Sequence, residues 1–296
     1  MLKILYGKLA ELRSELVYKL AISKHRVHLP KLDLQERQIY GRSDIPTERR
    51  SDRAILETLK TEGVCITSLD ELGLKSSASL LEAAYTQLSA MAAPKHSSKG
   101  QKLPQIYTLT DFAEFSNWGN ENRLLNIVEN YIGLPIRFQG IHLRKDFPNE
   151  DQFGTLLWHK DSEDRRMVKV IIYLSDVEEK HGPFEYVPLP LNRINTLNYY
   201  RVYYQLWRSR YIGIDDQTLE KIIPQSAWKS CPGKAGTVIL VDAKCVLHHG
   251  TLRTEERSTL FFVYTANPPK RPELCTQYWD DTFTKPKPVG SLTSVS

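Results

Sequence analysis

The sequence is poor in cysteine, and Cys65, Cys231, Cys245 and Cys275 stand far apart. No C-x-x-C pair occurs, and that spacing excludes a zinc ribbon or a thioredoxin-type redox site. Free, mostly buried thiols in a reducing cytoplasm are the expectation. Long apolar runs are missing too. The stretch MLKILYGKLAELRSELVYKL is broken by a charge every few positions, so neither a signal peptide nor a transmembrane helix is expected there. Internal repeats and low-complexity segments are absent. A chain-wide excess of one charge is also lacking. Residues 1–53 hold 12 of the 40 Lys/Arg and 7 of the 35 Asp/Glu, which accounts for the whole formal charge of +5; the remainder is balanced at 28 against 28. That distribution argues against a basic cleft for nucleic acid.

What is present is an ordinary globular composition, 41% hydrophobic and 25% charged over 296 residues, enough for one large domain. Leu5, Leu9, Leu12, Leu16 and Leu20 fall on one stripe and predict an amphipathic helix. Such a helix suits packing on the main domain, on a second copy of the chain (a homo-oligomer), or on a membrane surface. Residues 24–52 read as an irregular connector. Helical patterns cover 54–62, 80–91 and 122–131, with 93–103 read as a polar loop. Strand-like runs follow at 136–143, 155–161, 167–174, 236–241 and 259–265, after a short one at 64–66. Residues 191–228, rich in Tyr, Leu, Trp and Arg, read as a helical insert. The proline-containing tail after Pro268 reads as extended. Helices first and strands later predict an α+β chain whose core is an antiparallel sandwich or barrel.

The informative stretch is Trp158-His159-Lys160-Asp161. Side chains alternate along a strand, so His159 and Asp161 project to one side and can reach one ion. They supply two ligands of a 2-His-1-carboxylate triad, which leaves positions open on iron(II) for a cosubstrate and O₂. A later run, Val246-Leu247-His248-His249-Gly250, offers a third ligand. Arg257 opens the next apolar strand, where a guanidinium can hold a carboxylate through paired hydrogen bonds.

The stretches WHKDSEDRRMVKVIIYLSDVEEKHGPFEYVP and LHHGTLRTEERSTLFFVYT resemble the two metal-site motifs of the phytanoyl-CoA dioxygenase family. The resemblance covers about residues 50–270 and is strongest over 155–188 and 236–266. It implies a double-stranded β-helix (jelly-roll, cupin-like) core with flanking helices and an N-terminal helical extension. The implied domains are an extension and connector over 1–50, a dioxygenase domain over 51–270 with residues 191–228 as a lid-like insert, and a tail over 271–296. The implied activity is an iron(II)- and 2-oxoglutarate-dependent dioxygenase that uses O₂ to hydroxylate a small organic or acyl-type substrate, releasing succinate and CO₂. By motif match His159, Asp161 and His248 are the metal ligands, and Arg257 binds the C5 carboxylate of 2-oxoglutarate. The distal motif departs from the family pattern, so His249 stands as the alternative ligand. A carboxylate at 161, where related halogenases have a small apolar residue, favours hydroxylation.

Secondary candidates surround this set. Lys169, Ile171 and Tyr173 share a strand face, from which Lys169 or Tyr173 reaches the cosubstrate. His142 and Arg144 alternate on an earlier strand and can line the pocket. Arg165 and Arg166 follow the first motif closely, as solvated charges or as cations at the mouth. Two competing readings are a non-catalytic scaffold of the same fold and a zinc hydrolase using the same ligands, although nothing obvious supplies the latter's general base.

Overall fold

The computed structural model describes residues 50–91, 93–189 and 196–275. The amphipathic stripe of Leu5–Leu20, the connector to residue 49 and the tail beyond Cys275 lie outside them. The longer helices of the first half are α1 (Arg50–Glu62), α2 (Ser77–Ser89), α3 (Ala113–Gly119) and α4 (Asn122–Ile132). Gly133, at φ +69°, ends α4, a backbone region that favours glycine. Asp52 of α1 receives Arg123 of α4 at 2.6 Å, tying the two helices together. Among the described residues no helix is long and apolar enough to cross a membrane.

Among the described residues there are eleven strands: β1 (Val64–Ser68), β2 (Lys95–His96), β3 (Lys102–Leu103), β4 (Gln105–Thr108), β5 (Ile136–Asp146), β6 (Met167–Tyr173), β7 (Phe184–Val187), β8 (Lys229–Cys231), β9 (Thr237–Val241), β10 (Leu247–Gly250) and β11 (Arg257–Ala266). Nine of them form an antiparallel six-stranded sheet in the order β1-β9-β6-β11-β5-β4 and a three-stranded sheet in the order β10-β7-β8, while β2 and β3 pair with each other. Trp158 and His159 extend the smaller sheet through bridges to Ile214 and His248. From β5 onward the chain passes repeatedly between the sheets: large (β5), small (Trp158-His159), large (β6), small (β7 and β8), large (β9), small (β10), large (β11). This winding is the double-stranded β-helix.

Period-2 alternation positions the core. Val168, Val170 and Ile172 of β6, with Val238 and Leu240 of β9 and Leu260, Phe262 and Tyr264 of β11, pack in one cluster with helical residues such as Leu59, Leu80, Phe115, Trp118 and Leu124. Burying each such side chain contributes about 1.5–3 kcal/mol. Trp118 meets Phe262 with ring centroids 4.5 Å apart. The opposite residues, Ile171, Tyr173, Ile239 and Val241, cluster with Phe184 and Tyr186 of the small sheet. Both faces of β6 and β9 are therefore largely buried, which explains their near-continuous apolar runs, interrupted in β6 by Lys169.

Two expectations are corrected. Residues 155–161 are not one strand: a 3-10 turn spans Gly154–Leu156, and only Trp158 and His159 bridge to neighbours. The polar loop at 93–103 holds the β2–β3 hairpin, closed by the Ser97 N–H donating to the Gln101 carbonyl at 2.9 Å. In the insert, helix α5 (Thr196–Arg208) buries Val202 and Leu206 in a cluster with Trp158, Val187 and Leu247 of the small sheet. Tyr200, Tyr204 and Trp207 face solvent.

Candidate metal centre and anion site

Strand pairing brings the first site together. The His159 and His248 backbones exchange hydrogen bonds at 3.0 Å, and the Asp161 N–H donates to the Ala243 carbonyl at 2.9 Å. This pins both motifs at the end of the small sheet. One ligand atom each from His159, Asp161 and His248 then lies within 4.8 Å of the others. His159 Nε2 is 3.6 Å from Asp161 Oδ1, and His248 Nε2 is 3.7 Å from Oδ2.

The second nitrogen of each imidazole explains this aim. His159 Nδ1 faces the Leu157 carbonyl at 2.6 Å, and His248 Nδ1 faces that of Val246 at 2.9 Å. A carbonyl only accepts, so each Nδ1 carries the proton and each Nε2 turns a lone pair toward Asp161. Burial, with repulsion between the neighbouring imidazoles, pushes His248 down to about 3. Burial likewise depresses His159. Both rings are neutral, the form that binds a metal. Burial alone would raise the Asp161 carboxyl, but the Lys169 ammonium beside it holds it well below the usual carboxylate range. Two neutral imidazoles and one carboxylate, converging and already deprotonated, fit a divalent transition metal.

His249 is excluded from this convergence by the strand's alternation. Its ring stacks on Trp158 with centroids 3.8 Å apart, and its two nitrogens meet the Leu156 carbonyl and Glu185 Oε2, each at 2.9 Å. The alternative ligand is thus a buried packing residue.

The metal set lines a cavity of about 270 Å³, walled by Ile171, Phe184, Val241, Ala243 and Phe261 among others. Arg257 lines the same cavity. It is cross-strand from Asp146 in the β11–β5 register. Its Nη2 donates to Asp146 Oδ2 at 3.0 Å, and its Nη1 donates to the Gly182 carbonyl. Its Nε is buried and has no hydrogen-bond acceptor among the described residues. A cationic wall with a donor to spare suits an incoming carboxylate.

Asp146 was not singled out from sequence, yet it organises this end. Arg144 Nε meets its Oδ1 at 2.8 Å, while Arg253 Nη1 and Arg257 Nη2 share Oδ2 at 2.9 and 3.0 Å. Burial opposes its charge, but the three guanidiniums hold it far below the ordinary carboxylate range. The alternating pattern His142-x-Arg144-x-Asp146 on β5 was the available signal. Gly250 accommodates the crowding, because a Cβ there would sit 3.1 Å from the Nη2 atoms of Arg253 and Arg257.

The remaining candidates divide. Lys169 lines the cavity, but its Nζ lies 2.6 Å from Asp161 Oδ2 and 2.8 Å from Glu163 Oε1; it belongs to the metal end. Tyr173 also lines the cavity, but its hydroxyl donates to the Cys231 carbonyl at 2.9 Å and accepts from the Phe184 N–H at 3.1 Å. The tyrosine ties the two sheets through its hydroxyl and lines the cavity. His142 lines the cavity, stacked on Phe261. Arg165 and Arg166 are neither solvated nor at a mouth: they donate to the carbonyls of Pro268 and Ile132, each at 2.7 Å. Among the described residues, none from 196–228 lines the cavity.

No protein-family model matches the sequence, and no curated protein matches it. Solved structures match the fold. The epimerase SnoN, in complex with Fe3+, alpha ketoglutarate and nogalamycin RO, aligns at 15% identity over 81% of this chain and 93% of its own, with a TM-score of 0.52. HygX from Streptomyces hygroscopicus, with iron bound, aligns at 16% identity over 75% of this chain and 88% of its own, with a TM-score of 0.51. HygX with nickel and 2-oxoglutarate gives 17% identity and a TM-score of 0.50, over 73% of this chain and 87% of its own. At such identities the likeness is one of architecture: the chain is a double-stranded β-helix protein.

Proposed function

We propose that this protein is a non-haem iron(II)- and 2-oxoglutarate-dependent oxygenase that hydroxylates a small organic or acyl-type substrate. The observation that carries the reading is one cavity lined by two complementary sets of groups. His159, Asp161 and His248 converge, and Arg257 lines the same cavity. The motif resemblance of residues 155–188 and 236–266 supports a relation to the phytanoyl-CoA dioxygenase family. The fold shared with SnoN and HygX, whose structures hold iron, nickel or the 2-oxo acid, is consistent with it.

In this reading His159, Asp161 and His248 would hold ferrous iron, which supplies O₂ activation coupled to oxidative decarboxylation of 2-oxoglutarate. The protein's own part is derived from its geometry. The Leu157 and Val246 carbonyls keep the imidazole lone pairs aimed. Asp161, held as a carboxylate, offsets metal charge. Arg257, braced by Asp146 and the Gly182 carbonyl, offers the distal carboxylate a fixed donor. The apolar walls exclude water and strengthen these electrostatic contacts.

The test is calorimetric titration of the purified full chain with Mn(II) and then with 2-oxoglutarate, followed by succinate formation with Fe(II) in air. One metal per chain, metal-dependent 2-oxoglutarate binding and slow succinate release are expected. A well-folded protein that binds metal but not 2-oxoglutarate would overturn the oxygenase reading and favour another metal-dependent activity.

A further inference from the structure

Asp146 is the only carboxylate in contact with the three guanidiniums of Arg144, Arg253 and Arg257 among the described residues. Asp146, Arg253 and Arg257 are 4–6% exposed. Three positive charges against one negative leave two in excess. Buried excess charge is costly unless something compensates it. Its strain shows at Arg253, which burial and the repulsion of Arg257 and Arg144 push down to about 10. The distal carboxylate of 2-oxoglutarate would neutralise one of the two charges. One remains.

Arg144 is placed to carry it. It lines the metal cavity and also a second cavity of about 310 Å³. Ile106 and Thr155 border both cavities as well. The guanidinium is fixed by Nε on Asp146 at 2.8 Å and by Nη2 on the Thr155 hydroxyl at 2.7 Å. Nη1 makes no hydrogen bond among the described residues. Much of the second cavity is apolar, with Leu103, Pro104, Phe147, Phe153 and Leu156 in its walls. A cation at the junction of a metal cavity and an apolar one matches a ligand with one anionic group on an apolar body. The combined space falls in the range of roughly 300–1,000 Å³ usual for small organic ligands.

We propose that Arg144 and the apolar cavity beside it form the substrate subsite, and that the substrate is an organic monoanion, a carboxylate carried on an apolar body. This rests on the oxygenase reading above. The remaining donor, Nη1 of the doubly tethered Arg144 guanidinium, recognises the carboxylate, and Phe147, Phe153 and their neighbours take the body.

The experiment uses the full chain loaded with Mn(II) and 2-oxoglutarate, titrated calorimetrically with 4-phenylbutanoate and with 4-phenylbutanamide, a matched uncharged probe. The acid is expected to bind roughly tenfold or more tightly than the amide, the usual worth of a charge-assisted hydrogen bond. Arg144→Met should bind both alike while keeping its affinity for 2-oxoglutarate. That variant removes one of three mutually repelling charges, so folding should be retained. If it does not fold, Thr155→Val, which frees the guanidinium on one side, should narrow the difference between acid and amide. Equal binding of acid and amide by the wild type, or binding of neither, would overturn the proposal. So would an Arg144→Met protein that still prefers the acid or that loses 2-oxoglutarate, since Arg144 would then belong to the cosubstrate. Failure of the wild type to bind 2-oxoglutarate strikes the oxygenase reading instead, and the acid–amide comparison without it still reads Arg144.

Discussion

Two parts of the cavity lining are built in opposite ways. At the histidine end the protein supplies acceptors: two imidazole lone pairs and a carboxylate, each aimed by a backbone hydrogen bond or by the strand pairing around it. At the arginine end it supplies donors: guanidiniums gathered on one carboxylate. Acceptors in a buried cluster call for a cation, and donors call for an anion. The difference teaches that one apolar cavity can order two ligands of opposite charge without any residue serving both. Lys169 sharpens the point, since its ammonium sits on Asp161 and Glu163, at the acceptor end.

The strongest way to break this comparison is at the neighbouring histidines. His248→Ala removes a convergent nitrogen and should weaken metal affinity at least about 100-fold, because the fixed neutral imidazole contributes strongly to a three-ligand site. His249→Ala should leave metal stoichiometry at one. Its effect should fall on stability, at roughly 2–4 kcal/mol, because it empties a buried space against Trp158 and strips Glu185 of its partner. Metal analysis with thermal denaturation checks both. If His249→Ala lost the metal and His248→Ala kept it, the acceptor end would be misassigned.

The donor end is tested through Asp146. Asp146→Asn should raise the apparent KM for 2-oxoglutarate roughly tenfold or more with a smaller effect on kcat, since Arg257 keeps its charge but loses its brace. Metal stoichiometry should not change. The single variant leaves three repelling guanidiniums, so Asp146→Asn with Arg253→Gln restores the cluster's original net charge and isolates the positioning effect. Affinity for 2-oxobutyrate, which lacks the distal carboxylate, should be unaffected. An equal loss for both 2-oxo acids would show general disruption and remove Asp146 from the anion site.

Legibility from sequence followed the same division. The acceptor end was readable because its chemistry is local: His159 and Asp161 are two residues apart, and alternation puts them on one side. The H-x-G-T spacing and the distance to Arg257 favour His248 but leave His249 as an alternative, since adjacent strand residues differ only in the face they take. The structure resolves that face through the pairing of His248 with His159. The donor end was read only as Arg257. Asp146 lies 111 positions away, and only strand register makes the two neighbours. Arg165 and Arg166 resembled solvent charges because sequence does not reveal distant carbonyl acceptors. The helices and the apolar strands of the large sheet were visible as periodicity. The two-residue strand at 158–159 and the β2–β3 hairpin were too short to register as periods.

The smallest expected effect separates ring from hydroxyl at Tyr173, which lines the same cavity. Its phenol is buried, and burial raises its pKa to about 12, so at neutral pH it serves as a neutral hydrogen-bonding group. Tyr173→Phe deletes the donor to the Cys231 carbonyl and the acceptor of the Phe184 N–H, leaving two backbone groups unpaired between the sheets. A loss of about 1–3 kcal/mol in unfolding free energy is expected. The ring stays in the cavity wall, so 2-oxoglutarate affinity and metal content should match the wild type. Denaturant titration and calorimetry read the two quantities separately. A Tyr173→Phe protein that kept its stability and lost cosubstrate affinity would return the hydroxyl to the anion site, and the donor end would then extend beyond the arginines.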